Sequence, residues 1–282
     1  MSYQFLTVER NGGVERVTLN RPDVRNAFNE QVIADLTAWA RRAHDDETLR
    51  VVVFSGAGKT FSAGADAAWM AKKAGYSHDD NVRDARAAAA MFLAINTIPA
   101  IVIGRIHGAA LGGGSGLAAV CDIVVAAEDA IFGFTETKLG ILPAMISPYV
   151  LQKIGASAAR DLFLTGRRFD AKKAREIGLV HEVVTASDLD AAVDRLVNEA
   201  LSASPTAVAR SKPLIQNVIG QAPADVMGIT ADAIAAQRVS PEGQEGLNAF
   251  LEKRTPSWTV TPSTSAKAST FGKPAADKPA DK

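Results

Sequence analysis

The sequence predicts an α/β fold followed by a helical C-terminal part. Short apolar runs alternate with helical segments in the first half of the chain, glycine-rich turns follow several of these runs, and the chain is mostly helical from residue 144 onward. Strands that alternate with helices are typical of an α/β core. We therefore expect a core over residues 1–200, a helical region over 201–258 and a tail over 259–282.

The N-terminal residues predict a hairpin, a helix and a buried strand. Residues 5–10 and 14–19 flank a turn at Asn11, Gly12 and Gly13, which is typical of two paired strands. Asn29 can cap a helix that runs to about Ala43, with Val32, Ile33, Leu36 and Trp39 on one face. The apolar run 51–55 ends in glycines and predicts a strand buried on both faces.

The middle of the chain continues the alternation. We expect a polar, mobile loop at residues 76–80, an alanine-rich helix over 81–97 and a buried strand over 100–106. Residues 108–116 contain a glycine-rich turn before a helix, and 122–127 and 130–134 predict two further strands. Beyond residue 144 the helices are interrupted by one strand at 179–184, and the last helix covers 242–254.

Composition limits the partners and the compartment. Lys plus Arg and Asp plus Glu each number 31, so the formal net charge is zero and no general basic field for nucleic acid or an anionic membrane exists. The single cysteine, Cys121, cannot form an internal disulfide, and no histidine pair has metal-ligand spacing. The N-terminus lacks a secretory pattern and no apolar run reaches membrane-spanning length. We expect a cytoplasmic protein without a metal. The tail 259–282 is too polar to fold and is predicted to be disordered.

Two glycine-containing segments and one carboxylate are candidates for chemistry. The segments are residues 61–66 and Gly112-Gly113-Gly114, and each follows a predicted strand and begins a predicted helix. Two helix starts that face one oxygen would form an oxyanion hole, although spacing alone favours ordinary tight turns. Glu136 lies in a short polar island and could be an acid or base, or a surface residue paired with Lys138.

Several stretches taken together resemble the enoyl-CoA hydratase/isomerase (crotonase) superfamily, from about residue 5 to residue 258. The matching stretches are NRPDVRNA at 20–27, SGAGKTFSAGAD at 55–66, HGAALGGG at 107–114, CD at 121–122, KLG at 138–140, LTG at 164–166, residues 174–180 and FLEK at 250–253. Each match alone is weak, but their order and spacing favour an oxyanion hole over two unrelated turns.

The resemblance implies a spiral of ββα turns with C-terminal helices that form a homotrimer or a dimer of trimers. It implies an acyl-coenzyme A thioester as the substrate, with coenzyme A as part of that substrate and no separate cofactor. The catalytic groups would be Glu136 and the backbone N–H groups of Ala65 and Gly113. The residues that match substrate-binding positions are Arg25, Ala27, Ala63, Ala65, Asp66, Ala67, Ala68, Gly112, Gly113, Gly116, Thr135, Glu136, Phe250 and Lys253.

One departure leaves the reaction open. Family hydratases carry two glutamates; the resemblance places the second at Glu136, whereas Gly116 occupies the position of the first. Hydration is the first interpretation, because residues 138–149 resemble a bacterial subgroup that hydrates methylglutaconyl-CoA and carboxygeranoyl-CoA. Double-bond isomerisation by Glu136 alone is the second, and a non-catalytic acyl-CoA-binding protein is the third. If Gly116 leaves a space beside the reaction centre, the substrate is expected to be branched or to carry a second carboxylate.

Overall fold

The computed structural model describes residues 2–259. The strands in this range are β1 (Leu6–Asn11), β2 (Val14–Leu19), β3 (Val51–Gly56), β4 (Ile101–Ile106), β5 (Ala109–Leu111), β6 (Ile123–Ala127), β7 (Ile131–Gly133), β8 (Arg168–Asp170) and β9 (Glu182–Val184). The helices are α1 (Glu30–His44), α2 (Ala67–Lys73), α3 (His78–Asn96), α4 (Gly113–Val120), α5 (Ser147–Thr165), α6 (Ala171–Glu176), α7 (Leu189–Ser202), α8 (Pro205–Val218), α9 (Pro223–Arg238) and α10 (Pro241–Leu251), with short 3₁₀ helices at Pro22–Val24 and Glu136–Leu139.

The strands form a large sheet and a small one. The six-stranded sheet has the order β1-β2-β3-β4-β6-β9, and the three-stranded sheet has the order β5-β7-β8. Strand β1 pairs antiparallel with β2, and the pairs from β2 through β9 in the large sheet are parallel. Parallel neighbours require crossover connections, and α1 and α3 lie in two of these connections. The predicted α/β class is confirmed, because the strands and helices alternate in this way.

The large sheet is covered on both faces. Every residue of β3 is buried, as the uninterrupted apolar run predicts. On one face Trp39 of α1 stacks on Phe54 of β3 with ring centroids 6.0 Å apart. On the other face α7 packs Val193 and Val197 against a second apolar cluster that includes Ile103. Burial of one such side chain contributes about 1.5–3 kcal/mol, so both layers hold the strand ends in place.

Local capping explains where two helices begin. The Asn29 side chain accepts a hydrogen bond from Val32 N at 3.0 Å, which confirms the predicted cap of α1. Ser77 caps α3 in a reciprocal capping box with Asp80. The predicted loop at residues 76–80 is therefore wrong for its last three residues, which form the first turn of α3.

Two strands were missed by the sequence pattern. Strands β5 and β8 have three residues each, which is too short for a periodicity to be visible. The predicted strand at 179–184 is confirmed for Glu182–Val184. The C-terminal helices α8, α9 and α10 contact one another, and no helix within residues 2–259 is long and apolar enough to span a membrane. The predicted disordered tail lies outside the described residues, apart from Thr259.

Candidate active site

The two glycine-containing segments lie side by side. Ser62 N donates to Ala109 O at 3.0 Å, and Leu111 N donates to Ser62 O at 3.0 Å. On its other side the first segment pairs with Phe28, whose N–H donates to Gly64 O at 2.7 Å. Backbone hydrogen bonds therefore hold residues 62–64 between Phe28 and β5, and they fix the position of the helix start that follows.

Gly64 permits the closest approach between the segments. Its φ is +85°, and a Cβ on this residue would lie 2.6 Å from Leu111 O and 3.3 Å from Gly113 N. A side chain at this position would force the segments apart, and its backbone conformation is one that glycine adopts without steric cost. The sequence places glycine here because the start of α4 has to lie directly against the loop that leads to Ala65.

The N–H groups of Ala65 and Gly113 donate no hydrogen bond to any acceptor within residues 2–259. Their neighbours are paired: Asp66 N donates to Phe28 O at 2.8 Å, and Gly112 N donates to Gly133 O at 2.8 Å. Gly113 is the first residue of α4, where an N–H has no acceptor inside the helix. The arrangement offers two neighbouring backbone donors at the start of a helix dipole, which can bind an oxyanion.

Both donors border a cavity of about 220 Å³. Its walls come from α2, α3, the glycine segments and residues 139–146, and they are mostly hydrocarbon. Thr135 and Glu136 supply the polar side chains among the lining residues, and Lys, Arg and His are absent from that described lining. An apolar pocket with a few convergent polar groups is typical of a small-molecule site.

The Glu136 side chain lines this cavity. A Cβ placed on Gly112 would lie 3.3 Å from Glu136 Oε1, so the carboxylate is next to the start of α4. Glu136 Oε2 is buried and has no hydrogen-bond partner within the described residues. Burial raises the pKa of the Glu136 carboxyl above its ordinary value. A hydrogen bond from its own backbone N–H lowers this pKa, but by less than burial raises it. Buried carboxylate oxygens are normally paired, so an unpaired one in a cleft indicates chemistry.

The alternative of a surface Glu136 paired with Lys138 is wrong. Lys138 is exposed, and no ion pair joins these two side chains within residues 2–259. Glu136 begins the 3₁₀ helix Glu136–Leu139, which turns Lys138 away to the surface while the carboxylate faces inward. No group of described residues could hold a metal ion through three or more His, Cys, Asp or Glu side chains.

Asn26 positions the first glycine segment, and the sequence interpretation missed this role. Its side chain accepts from Arg21 N at 2.9 Å and donates to Ala57 O at 2.9 Å and to Thr60 O at 2.7 Å. Its backbone O accepts from the Ser62 hydroxyl at 2.9 Å. Asn26 has φ +53°, a backbone conformation in which Asn is enriched. An asparagine within the stretch 20–27 was the sequence signal that could have indicated this role.

The substrate-binding residues expected from the resemblance fall into groups. Those that line the cavity are Ala63, Ala65, Gly112, Gly113, Thr135 and Glu136. Those at the surface beside the first glycine segment are Arg25, Ala67 and Ala68, whereas Ala27 and Asp66 are buried. Asp66 caps α2 through Ala68 N and Trp69 N, and it pairs with Arg21 at 3.1 Å. Phe250 lies in the last turn of α10 and Lys253 follows the helix; both are exposed and do not line this cavity.

The expectation of an open space at Gly116 is wrong. A Cβ on Gly116 would lie 2.2 Å from Ile146 Cγ2 and 3.2 Å from Phe92 Cε1. Gly116 is buried and does not line the cavity, because Ile146 fills the volume that a side chain would need. The missing glutamate thus leaves no vacancy at Gly116 itself, and the branched or carboxylated substrate stays a prediction.

The other cavity walls were not identified from the sequence. Trp69 and Met70 of α2, Phe92 of α3, and Leu142 and Ile146 of the segment before α5 contribute apolar surface. Phe92 and Ile146 are almost fully buried, so their pattern does not differ from that of core residues. Leu142 is 73% exposed and lies at the cavity mouth, where an apolar side chain in a loop was the available signal.

Comparisons with known proteins agree on one family. The family model described as Enoyl-CoA hydratase/isomerase matches residues 9–261. An enoyl-CoA hydratase from Shewanella pealeana is 40% identical, with a TM-score of 0.87 over 90% of this chain and 96% of that one. An enoyl-CoA hydratase/isomerase from Marinobacter aquaeolei is 37% identical, with a TM-score of 0.85 over 91% and 100%. An enoyl-CoA hydratase from Mycobacterium smegmatis is 32% identical, with a TM-score of 0.86 over 91% and 99%.

Proposed function

The chain belongs to the enoyl-CoA hydratase/isomerase family, and from this premise we propose that it adds water to the double bond of a 2-enoyl-CoA thioester. The observation that carries the proposal is the buried Glu136 Oε2, which has no hydrogen-bond partner within residues 2–259, beside two backbone N–H groups that have no acceptor in the same range. Water as the second reactant is supported by similar proteins that are described as enoyl-CoA hydratases.

The two donors supply the electrostatic part of the proposed reaction. The thioester carbonyl oxygen accepts hydrogen bonds from the N–H groups of Ala65 and Gly113, and it gains negative charge as an enolate forms. One oxyanion donor contributes about 2.7–4 kcal/mol in other enzymes. Backbone donors suit this role because Gly64 and the capped start of α2 fix them before the substrate binds.

Glu136 carries the proton in the proposed reaction. Its carboxylate accepts a proton from water while the water oxygen bonds to the β-carbon and the π electrons move to the thioester oxygen. The same carboxyl then returns the proton to the α-carbon as the enolate collapses. One hydrogen and one hydroxyl are added and the oxidation level of the acyl group does not rise, so no redox cofactor is required. Because one group serves both steps, both additions occur on the same face.

A specific observation also favours double-bond isomerisation. Glu136 is the one titratable side chain that lines the described cavity, and Ile146 fills the place where a second carboxylate would hold the water. A single carboxylate suffices to move a proton between two carbons of an enoyl group. Isomerisation is therefore the second candidate, and it uses the same two oxyanion donors.

The proposed position of coenzyme A follows the surface beside the first glycine segment. Arg25, Ala67 and Ala68 are exposed there, next to the cavity mouth. We place the final-helix residues Phe250 and Lys253 against the coenzyme A of a neighbouring subunit in a homotrimer or a dimer of trimers. A purely binding protein would have no use for a buried carboxylate oxygen without a partner, which costs free energy.

Turnover of purified protein tests the proposal. We expect loss of the conjugated thioester absorbance when 2-enoyl-CoAs of four to ten carbons are added, with the 3-hydroxyacyl-CoA as product. A 3-enoyl-CoA product would support the isomerase instead. Tight binding of acyl-CoA without any turnover across this series would support the non-catalytic alternative.

A further inference from the structure

The Ser115 hydroxyl joins three backbone segments of the candidate active site. Ser115 lies in the first turn of α4 and is completely buried. Its Oγ donates to Ala110 O of β5 at 2.6 Å and lies 3.2 Å from a second acceptor, Gly133 O of β7. The same oxygen accepts from Gly133 N at 3.3 Å. One hydroxyl therefore connects the start of α4 to two neighbouring strands of the small sheet.

These hydrogen bonds lie between the two groups that the proposed reaction requires. Gly113, two residues before Ser115, carries the proposed oxyanion donor. Glu136, three residues after Gly133, carries the proposed proton acceptor. A movement of α4 relative to the end of β7 would change the separation of this donor and this carboxylate. The Ser115 hydroxyl restrains that movement, because it is bonded to both sides.

The start of α4 is weak as an isolated helix. Glycine occupies every position in its first four residues except Ser115, and Gly112 before it has no side chain that could cap the helix. Glycine lowers helix stability because its backbone loses the most freedom on folding. Close packing requires these glycines: a Cβ on Gly114 would lie 2.5 Å from Ser62 O. The Ser115 hydroxyl thus supplies an anchor that a capping side chain supplies elsewhere.

The hydroxyl is also unusual for its surroundings. Every other residue of α4 is Gly, Ala, Leu or Val. Inside a helix serine is less favourable than alanine, since its hydroxyl competes for backbone groups, and a buried hydroxyl costs free energy unless it is paired. A serine at this buried position is explained by the hydrogen bonds that it makes to β5 and β7 rather than by helix formation.

We propose that Ser115 is a positioning residue that fixes the Gly113 N–H relative to the Glu136 carboxylate. This inference rests on the proposed function, which gives those two groups their roles. A backbone donor stabilises an oxyanion over a narrow range of distance, about 2.7–3.1 Å. Without the hydroxyl, the glycine-rich start of α4 can shift, and the donor and the carboxylate no longer fit one substrate. A misplacement of about 1 Å can cost about 10²-fold in rate.

Matched serine variants test this role. Hydration of trans-2-butenoyl-CoA is followed in wild type, Ser115→Ala, Ser115→Cys and Ser55→Ala, with folding checked by circular dichroism. Ser55 is also buried, and its Oγ lies 3.0 Å from Thr18 Oγ1 in the large sheet, so its variant controls for the loss of a buried hydroxyl.

We expect Ser115→Ala to lower kcat by about 10–10²-fold with a nearly unchanged KM. Ser115→Cys should recover part of this loss, because a thiol still donates weakly. Ser55→Ala should keep the wild-type kcat. If Ser115→Ala does not fold, Ser115→Cys provides the milder change with the same expected direction. An unchanged kcat in folded Ser115→Ala, or an equal loss in Ser55→Ala, would overturn the inference.

A double-mutant comparison separates positioning from general stability. In Glu136→Gln the carboxylate is absent, so its distance from the Gly113 donor no longer limits the rate. Ser115→Ala should therefore lower the residual kcat of Glu136→Gln by a smaller factor than it lowers the wild-type kcat. Equal factors in the two backgrounds would show that Ser115 does not act on the relation between the two groups.

A bound β-ketoacyl thioester separates this inference from the proposed function. Acetoacetyl-CoA ionises to an enolate with its own ultraviolet absorbance, so the enolate fraction of saturating bound ligand reports the oxyanion donors without turnover. We expect Ser115→Ala, but not Ser55→Ala, to lower the ratio of enolate to neutral ligand at a fixed pH by about tenfold. This decrease without any turnover would reject the enzyme and keep the role of Ser115. Turnover with kcat and enolate ratio both unaffected by Ser115→Ala would reject the role of Ser115 and keep the enzyme.

Discussion

The carboxylate of Glu136 lies against the backbone of Gly112, where a Cβ would come within 3.3 Å of Oε1. Gly112 N is paired with Gly133 O, and the next N–H, that of Gly113, has no acceptor within the described residues. The proposed proton carrier, Glu136, and the proposed oxyanion donor, Gly113 N–H, are thus adjacent across one peptide unit. This adjacency sets the chemistry that the cavity can perform, and each of its parts can be removed separately.

Replacement of the carboxylate tests the proton carrier. Glu136→Gln is expected to lower kcat by about 10²–10⁴-fold, because an amide keeps the shape but cannot accept and return a proton. Calorimetry with butyryl-CoA should show nearly unchanged binding. Activity within threefold of wild type would assign proton transfer to another group.

The pH dependence follows from the burial of Glu136. Burial raises the pKa of this carboxyl above 4.5, so kcat/KM for hydration should fall on the acid side with a midpoint above 4.5. Between pH 4.5 and the raised pKa, the Glu136 carboxyl is protonated in the folded protein and ionised in the unfolded chain. This group therefore contributes less stability as pH rises through the raised pKa.

Chemical denaturation of wild type and Glu136→Gln across this pH range measures the effect. The variant should gain stability relative to wild type between pH 4 and neutral pH. A difference in stability that is constant with pH would show that Glu136 has the same pKa in both states.

Removal of one donor tests the oxyanion hole. Gly113→Pro deletes the N–H at the first position of α4, where proline is compatible with a helix. Gly113→Ala is the matched control, since it keeps the N–H while its Cβ meets the same Phe28 ring at 2.8 Å. Initial rates and circular dichroism are measured on both. We expect the proline variant to be about 10²–10³-fold slower in kcat than the alanine variant. Equal rates in two folded variants would exclude the Gly113 donor.

The contact between Gly116 and Ile146 can be tested through stability. Gly116→Ala should cost about 1–3 kcal/mol, since the added Cβ meets Ile146 Cγ2. In the Ile146→Ala background the same change should cost less, because the blocking atom is absent. Urea denaturation of the four proteins gives the coupling free energy. Additive effects would mean that the two side chains do not compete for one volume.

Assembly can be tested at the exposed end of α10. Phe250 is 81% exposed and Leu251 is 75% exposed, which leaves apolar surface at the end of α10 within the described residues. We expect light scattering to give the mass of a trimer or hexamer, and Phe250→Asp to reduce it. Lys253→Gln should raise KM with little change in kcat. A monomeric wild type at micromolar concentration would contradict the proposed neighbour contact.

The sequence predicted features that depend on residues close together in the chain, such as helix caps and buried strands. The Asn29 cap and the buried run of β3 follow from hydrogen bonding and periodicity. The Ala65 and Gly113 donors were implied by the family resemblance rather than by glycine spacing, and their catalytic role stays a prediction. The space at Gly116 was predicted wrongly, because its occupant, Ile146, is 30 residues away in sequence and no local pattern reports that contact. The three-residue strands β5 and β8 were missed for a related reason, since they depend on sheet partners rather than on their own composition.

One measurement tests the central claim most directly: nuclear magnetic resonance of the product formed from trans-2-hexenoyl-CoA in deuterated water. The proposed mechanism predicts 3-hydroxyhexanoyl-CoA with one deuterium on the α-carbon, added to the same face as the hydroxyl group, and at least about 10²-fold slower formation of this product by Glu136→Gln. A 3-hexenoyl-CoA product, addition to opposite faces, or undiminished hydration by Glu136→Gln would contradict it.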